Sequence, residues 1–374
     1  MKKALVAAAA PPLLLLFSGS VAPAQPRERE VPPMRIDEYN PKSTLKVPEH
    51  PKTRAKFPFI DVHNHQTRTL ESNTGLDKLV SDMDALNMKI MVNLSGGFGE
   101  RLAQTVKGMK TRYPDRFVVF ANVDFRGMND PGYPEKAAKQ LEEDIKNGAQ
   151  GLKFFKNFGM ELKDESGQRV HVDDHRLDKV FEVCAKYKIP VLIHTAEPRP
   201  FFDPIDKNNE RWLELMQFPS RARPADKFPT WDTLMNEQMS LFARHPKVNF
   251  INAHLGWLGG DLEELGRRMD KLPNMYTEIG AVLAELGRQP RAARAFFTKY
   301  QDRVMFGKDI WEPSEYYVYF RVLETADEYF DYYRKRHAFW KMYGMDLPDD
   351  ILKKLYYKNA LKLIPGLDAS KFPK

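Results

Sequence analysis

The chain has 374 residues, 42% of them hydrophobic and 29% charged, with a single cysteine and a formal net charge of +7. This balance excludes wholesale disorder and provides enough apolar material for a large core without disulfide or metal staples. The positive excess is spread along the chain with no sustained basic block, which argues against nucleic-acid binding and fits surface solvation with some attraction for anionic small substrates.

Residues 1–24 have the three parts of a secretory signal peptide: Met1-Lys2-Lys3, an apolar run to Phe17, and small residues at Ala22 and Ala24. The run is too short to span a bilayer, and Pro11-Pro12 interrupts it, so stable membrane insertion is not expected. The alternative is an uncleaved amino-terminal anchor. Export to the periplasm or the medium is the expectation, and one cysteine, Cys184, in an apolar helical stretch is expected to be buried rather than bridged. Residues 25–56, with Pro32, Pro33, Pro41, Pro48 and Pro51, predict an extended lead-in.

From Phe57 an alternation begins. Strands are predicted at Phe57–Val62, Lys89–Leu94, Phe117–Val123, Gly151–Phe155, Pro190–Ile193, Val248–Ala253, Met275–Ile279 and Arg303–Phe306. Helices fall between them at Leu76–Leu86, Arg101–Thr111, Pro134–Asn147, Arg176–Tyr187, Trp231–Arg244, Leu262–Leu272 and Arg291–Lys299. Short apolar strands alternating with helices imply a parallel sheet buried on both faces. No Gly-rich phosphate loop follows the first strand, which disfavours an open doubly wound sheet. The predicted fold over residues 57–374 is therefore a (β/α)8 TIM-type barrel, with an N-terminal extension and helical additions over its C-terminal face.

Two connections are unusually long. Residues 197–230 are rich in Pro and aromatics without periodicity, as an active-site lid would be. Residues 311–347 are thick with aromatics, and the spacing from Tyr316 to Trp340 suggests helices over the barrel mouth or against a partner in a homodimer; plain core packing is the alternative.

Barrel chemistry sits where strands end. His63 and His65 follow the first strand, and residues two apart on a strand point the same way. His194 ends the fifth strand, His254 the sixth and Asp309 the eighth. Four imidazoles and a carboxylate at one mouth are a metal site. By contrast, His50, His171, His175, His245 and His337 fall in loops or on helices, where surface or capping roles are expected.

The segments His63-Asn64-His65, His194, Asn252-Ala253-His254-Leu255-Gly256 and Phe306-Gly307-Lys308-Asp309 resemble the amidohydrolase superfamily. They are most similar to its amidohydrolase-related branch, which includes the aminocarboxymuconate-semialdehyde decarboxylase-like enzymes. The resemblance runs from Phe57 to the closing helix around Asn359-Ala360. It implies that His63, His65, His194 and Asp309 ligate one divalent ion and that His254 is an acid/base beside it. It also draws attention to Lys153 on the fourth strand. In binuclear members a lysine there is carbamylated and bridges two ions; the other reading is that Lys153 lines the pocket and pairs with Asp309 or a substrate carboxylate. Lys308 departs from the serine of many relatives, and Trp257 and Trp311 are candidates for the pocket wall.

Three imidazoles and a carboxylate suit zinc with an open position for water or substrate. The expected function is hydrolysis of an ester, lactone or amide of a small molecule, with Asp309 taking the water proton and His254 assisting. The alternatives are non-oxidative decarboxylation and a non-catalytic metal- or ligand-binding barrel.

Overall fold

Among the described residues nine short strands, all paired in parallel, follow one another around an axis. They are β1 (Phe59–Asn64), β2 (Met88–Asn93), β3 (Phe117–Val119), β4 (Ala121–Asn122), β5 (Leu152–Phe154), β6 (Val191–Ile193), β7 (Phe250–Asn252), β8 (Met275–Glu278) and β9 (Val304–Met305). These come from a computed structural model in which residues 32–36, 38–67 and 73–373 are described. The signal peptide expected at residues 1–24 lies outside them. Residues 32–43 fall in a separate amino-terminal unit, and the barrel unit begins at Thr44.

Two ladders make up the barrel wall, β1-β2-β3 and β4-β5-β6-β7-β8-β9. The third predicted strand is thus broken at Phe120, and the reason is packing. Phe120 is fully buried, and its ring lies so close to Gly151 that a Cβ there would stand 2.3 Å from it. The wall nevertheless runs through the break, because Phe120 N donates to Asn93 O at 3.0 Å and Ala121 N to Gly151 O at 2.8 Å. Across the other seam, Val62 N donates to Phe306 O at 3.0 Å and Asp309 N to His63 O at 2.6 Å. Asn64 and Asp309 form a parallel bridge there. The fold is a parallel (β/α) barrel.

The helices that return the chain each bury one apolar face on this wall. In α4 (Asp178–Tyr187), Val180, Phe181, Val183 and Cys184 are buried, and burial pushes the Cys184 thiol up, so it is inert packing. Residues 44–56 are stitched to the same unit. His50 N reaches Asp327 Oδ2 at 2.7 Å and Lys56 N reaches Glu324 Oε1 at 2.9 Å.

The aromatic stretch 311–347 does not form the run of helices its spacing suggested. One helix, α10 (Pro313–Glu324), is followed by irregular chain with a bridge between Phe330 and Met342. Tyr316, Tyr319 and Phe320 are fully buried. Phe320 packs edge-on to Phe59 at 5.5 Å, and Phe59 to Phe306 at 4.8 Å. The aromatic periodicity therefore records burial against β1 and β9. Residues 197–230 carry only the short helix α5 (Trp212–Gln217) and 3-10 turns before α6 (Trp231–Arg244). This insertion is tied down where it begins: buried Glu197, three residues after His194, meets Lys156 at 2.5 Å and Arg223 of the insertion at 3.4 Å. Among the described residues no helix is long and apolar enough to cross a membrane.

Candidate metal centre

The hydrogen bonds around the mouth decide which nitrogens carry protons. His63, fully buried at the end of β1, places Nδ1 2.9 Å from Glu278 Oε1. A carboxylate accepts, so Nδ1 holds the proton and Nε2 is left a bare lone pair; Nε2 has no hydrogen-bond partner. His254 Nδ1 lies 2.8 Å from the carbonyl of Gly280 and must donate to it. In the neutral ring its Nε2 then accepts from His194 Nδ1 at 3.3 Å. That leaves His194 Nε2 buried, aprotic and without a partner. His65 Nδ1 sits 2.8 Å from Ser95 Oγ, and its Nε2 faces Asp309.

Asp309 Oδ1 stands 3.5 Å from His63 Nε2 and 3.4 Å from His65 Nε2. These separations are long for charge-assisted hydrogen bonds. They match the edge of a tetrahedral shell with metal–ligand bonds of about 2.0–2.1 Å, which is about 3.3 Å. His63, His254 and Asp309 offer ligand atoms within 4.8 Å of one another. His65 joins this triad through Asp309 and His194 through His254, so all five residues singled out in the sequence share one mouth. Orphaned nitrogens, an adjacent carboxylate and matching edges fit a divalent ion.

Electrostatics keep the donors ready. Burial, aided by the Lys153 charge, lowers His63 to about 3, and burial with the His254 charge holds His194 well below its usual value. Burial opposes the charge on Asp309, yet its contact with His65 and the charges of His63 and His254 hold it well below the usual carboxylate range. At neutral pH two bare imidazoles and an ionised carboxylate therefore coexist.

The backbone is bent to present these groups. His254, Leu255, Gly256 and Trp257 all lie in the left-handed region, with φ of +58°, +53°, +59° and +57°. For non-glycine residues this costs about 1–2 kcal/mol each. Ala196, Ala281 and Asp309, at φ +61°, +57° and +83°, lie likewise just beyond β6, β8 and β9. Strain gathered at one rim of the barrel marks a functional site. It is held by Glu278, whose Oε1 accepts from His254 N at 2.7 Å, and by the reciprocal Gln238–Asn252 amide pair at 2.9 and 3.0 Å.

Two residues that matter here were not singled out in the sequence. Glu278 supports His63, His254 and Gly280 from the end of β8. Burial opposes its charge, but His63 and His254 hold it down at about 2. Asp61 accepts from His63 N at 3.0 Å, Lys308 N at 3.2 Å and the Tyr316 hydroxyl at 2.6 Å, and burial pushes it to about 6. Both are carboxylates closing or interrupting an apolar strand, a signal that was present in the sequence.

Lys153 is fully buried with no partner for its Nζ, so it does not pair with Asp309; burial lowers it to about 8. Lys308 does not add free charge beside Asp309, because its ammonium is paired with Glu315 and bonded to Ile310 O. Trp257 lies against the site, 4.6 Å from the His254 ring and 5.6 Å from that of His194. Trp311 packs edge-on to Tyr316 at 5.5 Å. Two histidines expected at the surface are largely buried beside carboxylates, His245 at 2.9 Å from Asp178 and His337 at 3.1 Å from Glu214.

A family model described as Amidohydrolase matches residues 60–366. The chain belongs to the amidohydrolase family. It is a metal-dependent enzyme of that superfamily, in its amidohydrolase-related branch. No curated protein sequence matches this amidohydrolase. Among solved structures it is similar to a 2,6-dihydroxybenzoate decarboxylase, at 16% identity over 82% of this chain and 99% of that one, with a TM-score of 0.52. A dihydroxybenzoic acid decarboxylase from Polaromonas sp. JS666, solved with manganese and 2-nitroresorcinol, is similar at 15% identity over 82% and 96% of the chains, also with a TM-score of 0.52. At these identities the likeness establishes the barrel fold.

Proposed function

We infer that this amidohydrolase hydrolyses an ester, lactone or amide bond in a small molecule, using one divalent ion, for which zinc suits the donor set best. The observation that carries this is the Asp309 carboxylate facing His65 Nε2 and the unpartnered His63 Nε2, with His254 within 4.8 Å of both His63 and Asp309. When bound, the ion supplies Lewis acidity that polarises an acyl oxygen and brings the pKa of water to about 7. Asp309, ionised at neutral pH, is the proton acceptor for the attacking water and returns the proton to the leaving group. His254, fixed by Gly280 O and backed by His194, holds a proton at Nδ1 and positions the rest of the imidazole layer. Glu278 keeps His63 in the ligating tautomer. The signal-like residues 1–24 support action outside the cytoplasm, where cleavage of esters and lactones is a more natural task than processing of intracellular acids.

A second reading, non-oxidative loss of carbon dioxide from a carboxylated substrate, is favoured by one feature: the buried, unpartnered Lys153 ammonium at the mouth. Metal content by mass spectrometry on the wild type and His63→Ala/His65→Ala comes first, followed by ester, lactone and carboxylated-aromatic turnover. About one equivalent of metal, lost in the double variant together with ester or lactone hydrolysis, is expected. Carbon dioxide release without hydrolysis would replace the first reading by the second, and a full complement of metal in the double variant would overturn both.

A further inference from the structure

A pocket of about 320 Å³ opens beside His65, walled by Thr67, Ser95, Arg101, Asn122 and Phe155. Two of its walls touch the centre directly. Ser95 Oγ holds His65 Nδ1, and the Phe155 ring lies 5.7 Å from the His65 ring and 5.6 Å from Lys153 Nζ. Phe155 is 37% exposed, which leaves an apolar ring face toward the opening.

Arg101 is the one charged residue in this lining. Among the described residues its guanidinium meets no carboxylate and no hydrogen-bond acceptor, although the protein pairs most of its other arginines. Its position is nevertheless built. The Arg101 stem lies over Gly97, at φ +80°, where a Cβ would stand 2.8 Å from Arg101 Cδ. Gly97 is clamped on both sides by Asn122, whose Oδ1 accepts from Gly97 N at 2.8 Å and whose N donates to Gly97 O at 2.8 Å.

The other cavity at this rim, about 480 Å³ beyond Trp257, has the opposite character. Each of its four arginines has a carboxylate beside it: Arg199 has Asp232 at 3.9 Å, Arg211 has Glu285 at 2.7 Å, Arg268 has Glu264 at 2.8 Å and Arg288 has Glu210. Every guanidinium there already faces a negative charge, unlike that of Arg101.

We propose that the pocket beside His65 is the substrate subsite, and that Arg101 in it selects a carboxylate borne apart from the reacting group. The placement of the reacting group rests on the proposed function; the recognition of a carboxylate does not. A free guanidinium binds a carboxylate through two parallel N–H donors, and Phe155 offers a flat apolar face to the body that carries it. The volume is enough for a body of at least one ring.

The test is calorimetric titration of the purified protein with isophthalate and with its neutral analogue isophthalamide, in the wild type, Arg101→Met and Arg101→Lys. The wild type is expected to prefer the dianion. Arg101→Met should weaken isophthalate roughly ten- to hundredfold and leave isophthalamide unchanged, and Arg101→Lys should recover part of the loss. Equal affinity for the two probes in the wild type, no binding of isophthalate, or an unchanged isophthalate affinity in Arg101→Met each overturns the subsite. Metal content measured on the same samples separates the two ideas. Protein that holds no metal sinks the proposed function, whereas the titration is read the same way in either case.

Discussion

His63 Nδ1 donates to the Glu278 carboxylate with both side chains at 0% exposure, 215 residues apart in the chain and 2.9 Å apart in space. The pair fixes the ring so that only Nε2 can meet an ion. Glu278→Gln keeps the shape but offers an amide that can present N–H instead of an oxygen. Metal affinity is expected to fall about 10–100-fold, read by competition with a chelator of known affinity. An unchanged affinity would mean that Glu278 serves only the backbone of His254 and Gly280.

Lys153 ties stability to pH. Its folded value is about 8 against 10.5 in the unfolded chain. Between these values the unfolded chain binds the proton that the folded protein has released, so stability rises with pH across this window. The favourable contribution is complete above 10.5 and lost as pH falls through about 8. At pH 7.5 the buried ammonium therefore costs about 3 kcal/mol. Lys153→Met should make the chelator-treated protein more stable at that pH and flatten the rise. Urea unfolding at pH 7.5 and pH 10 measures both.

Gly256 is the third of four consecutive left-handed residues, and a Cβ there would stand 2.3 Å from Asn252 Nδ2. Gly256→Ala should break the Gln238–Asn252 amide pair and cost about 1–3 kcal/mol. His254, two residues earlier, should shift with it. Denaturant midpoints and metal content are expected to fall together; a drop in stability with metal binding intact would uncouple the turn from the centre.

Glu315 neutralises two cations, the buried Lys308 ammonium and Arg334, which donates to it at 2.9 Å from both Nε and Nη2. Removing the shared acid strands both. Glu315→Leu should cost about 3–5 kcal/mol, and Lys308→Met clearly less, because Glu315 keeps Arg334. Equal losses in urea unfolding would show that Arg334 contributes nothing.

Several features were legible before the fold was known, for a definite reason. Parallel strands buried on both faces are mostly apolar, so polar residues at or just beyond the end of each run mark the rim of the barrel. That is why His194, His254 and Asp309 could be found one strand at a time, with His63 and His65 set by the two-residue repeat. The aromatic run beyond Trp311 misled because burial and helical periodicity leave the same trace; Tyr316, Tyr319 and Phe320 are buried on α10, but the chain after Glu324 is irregular.

The order of strands, the closed parallel wall and the rim residues were thus determined by the sequence itself, through local patterns of apolar and polar residues. The partners were not. That Glu278 holds His63, that Asp61 sits under Tyr316, that Lys153 has no counter-ion and that Arg101 stands free beside Phe155 depend on which strand ends become neighbours when the barrel closes. A period of two says which face a side chain takes, but only the closed wall says what it will meet there.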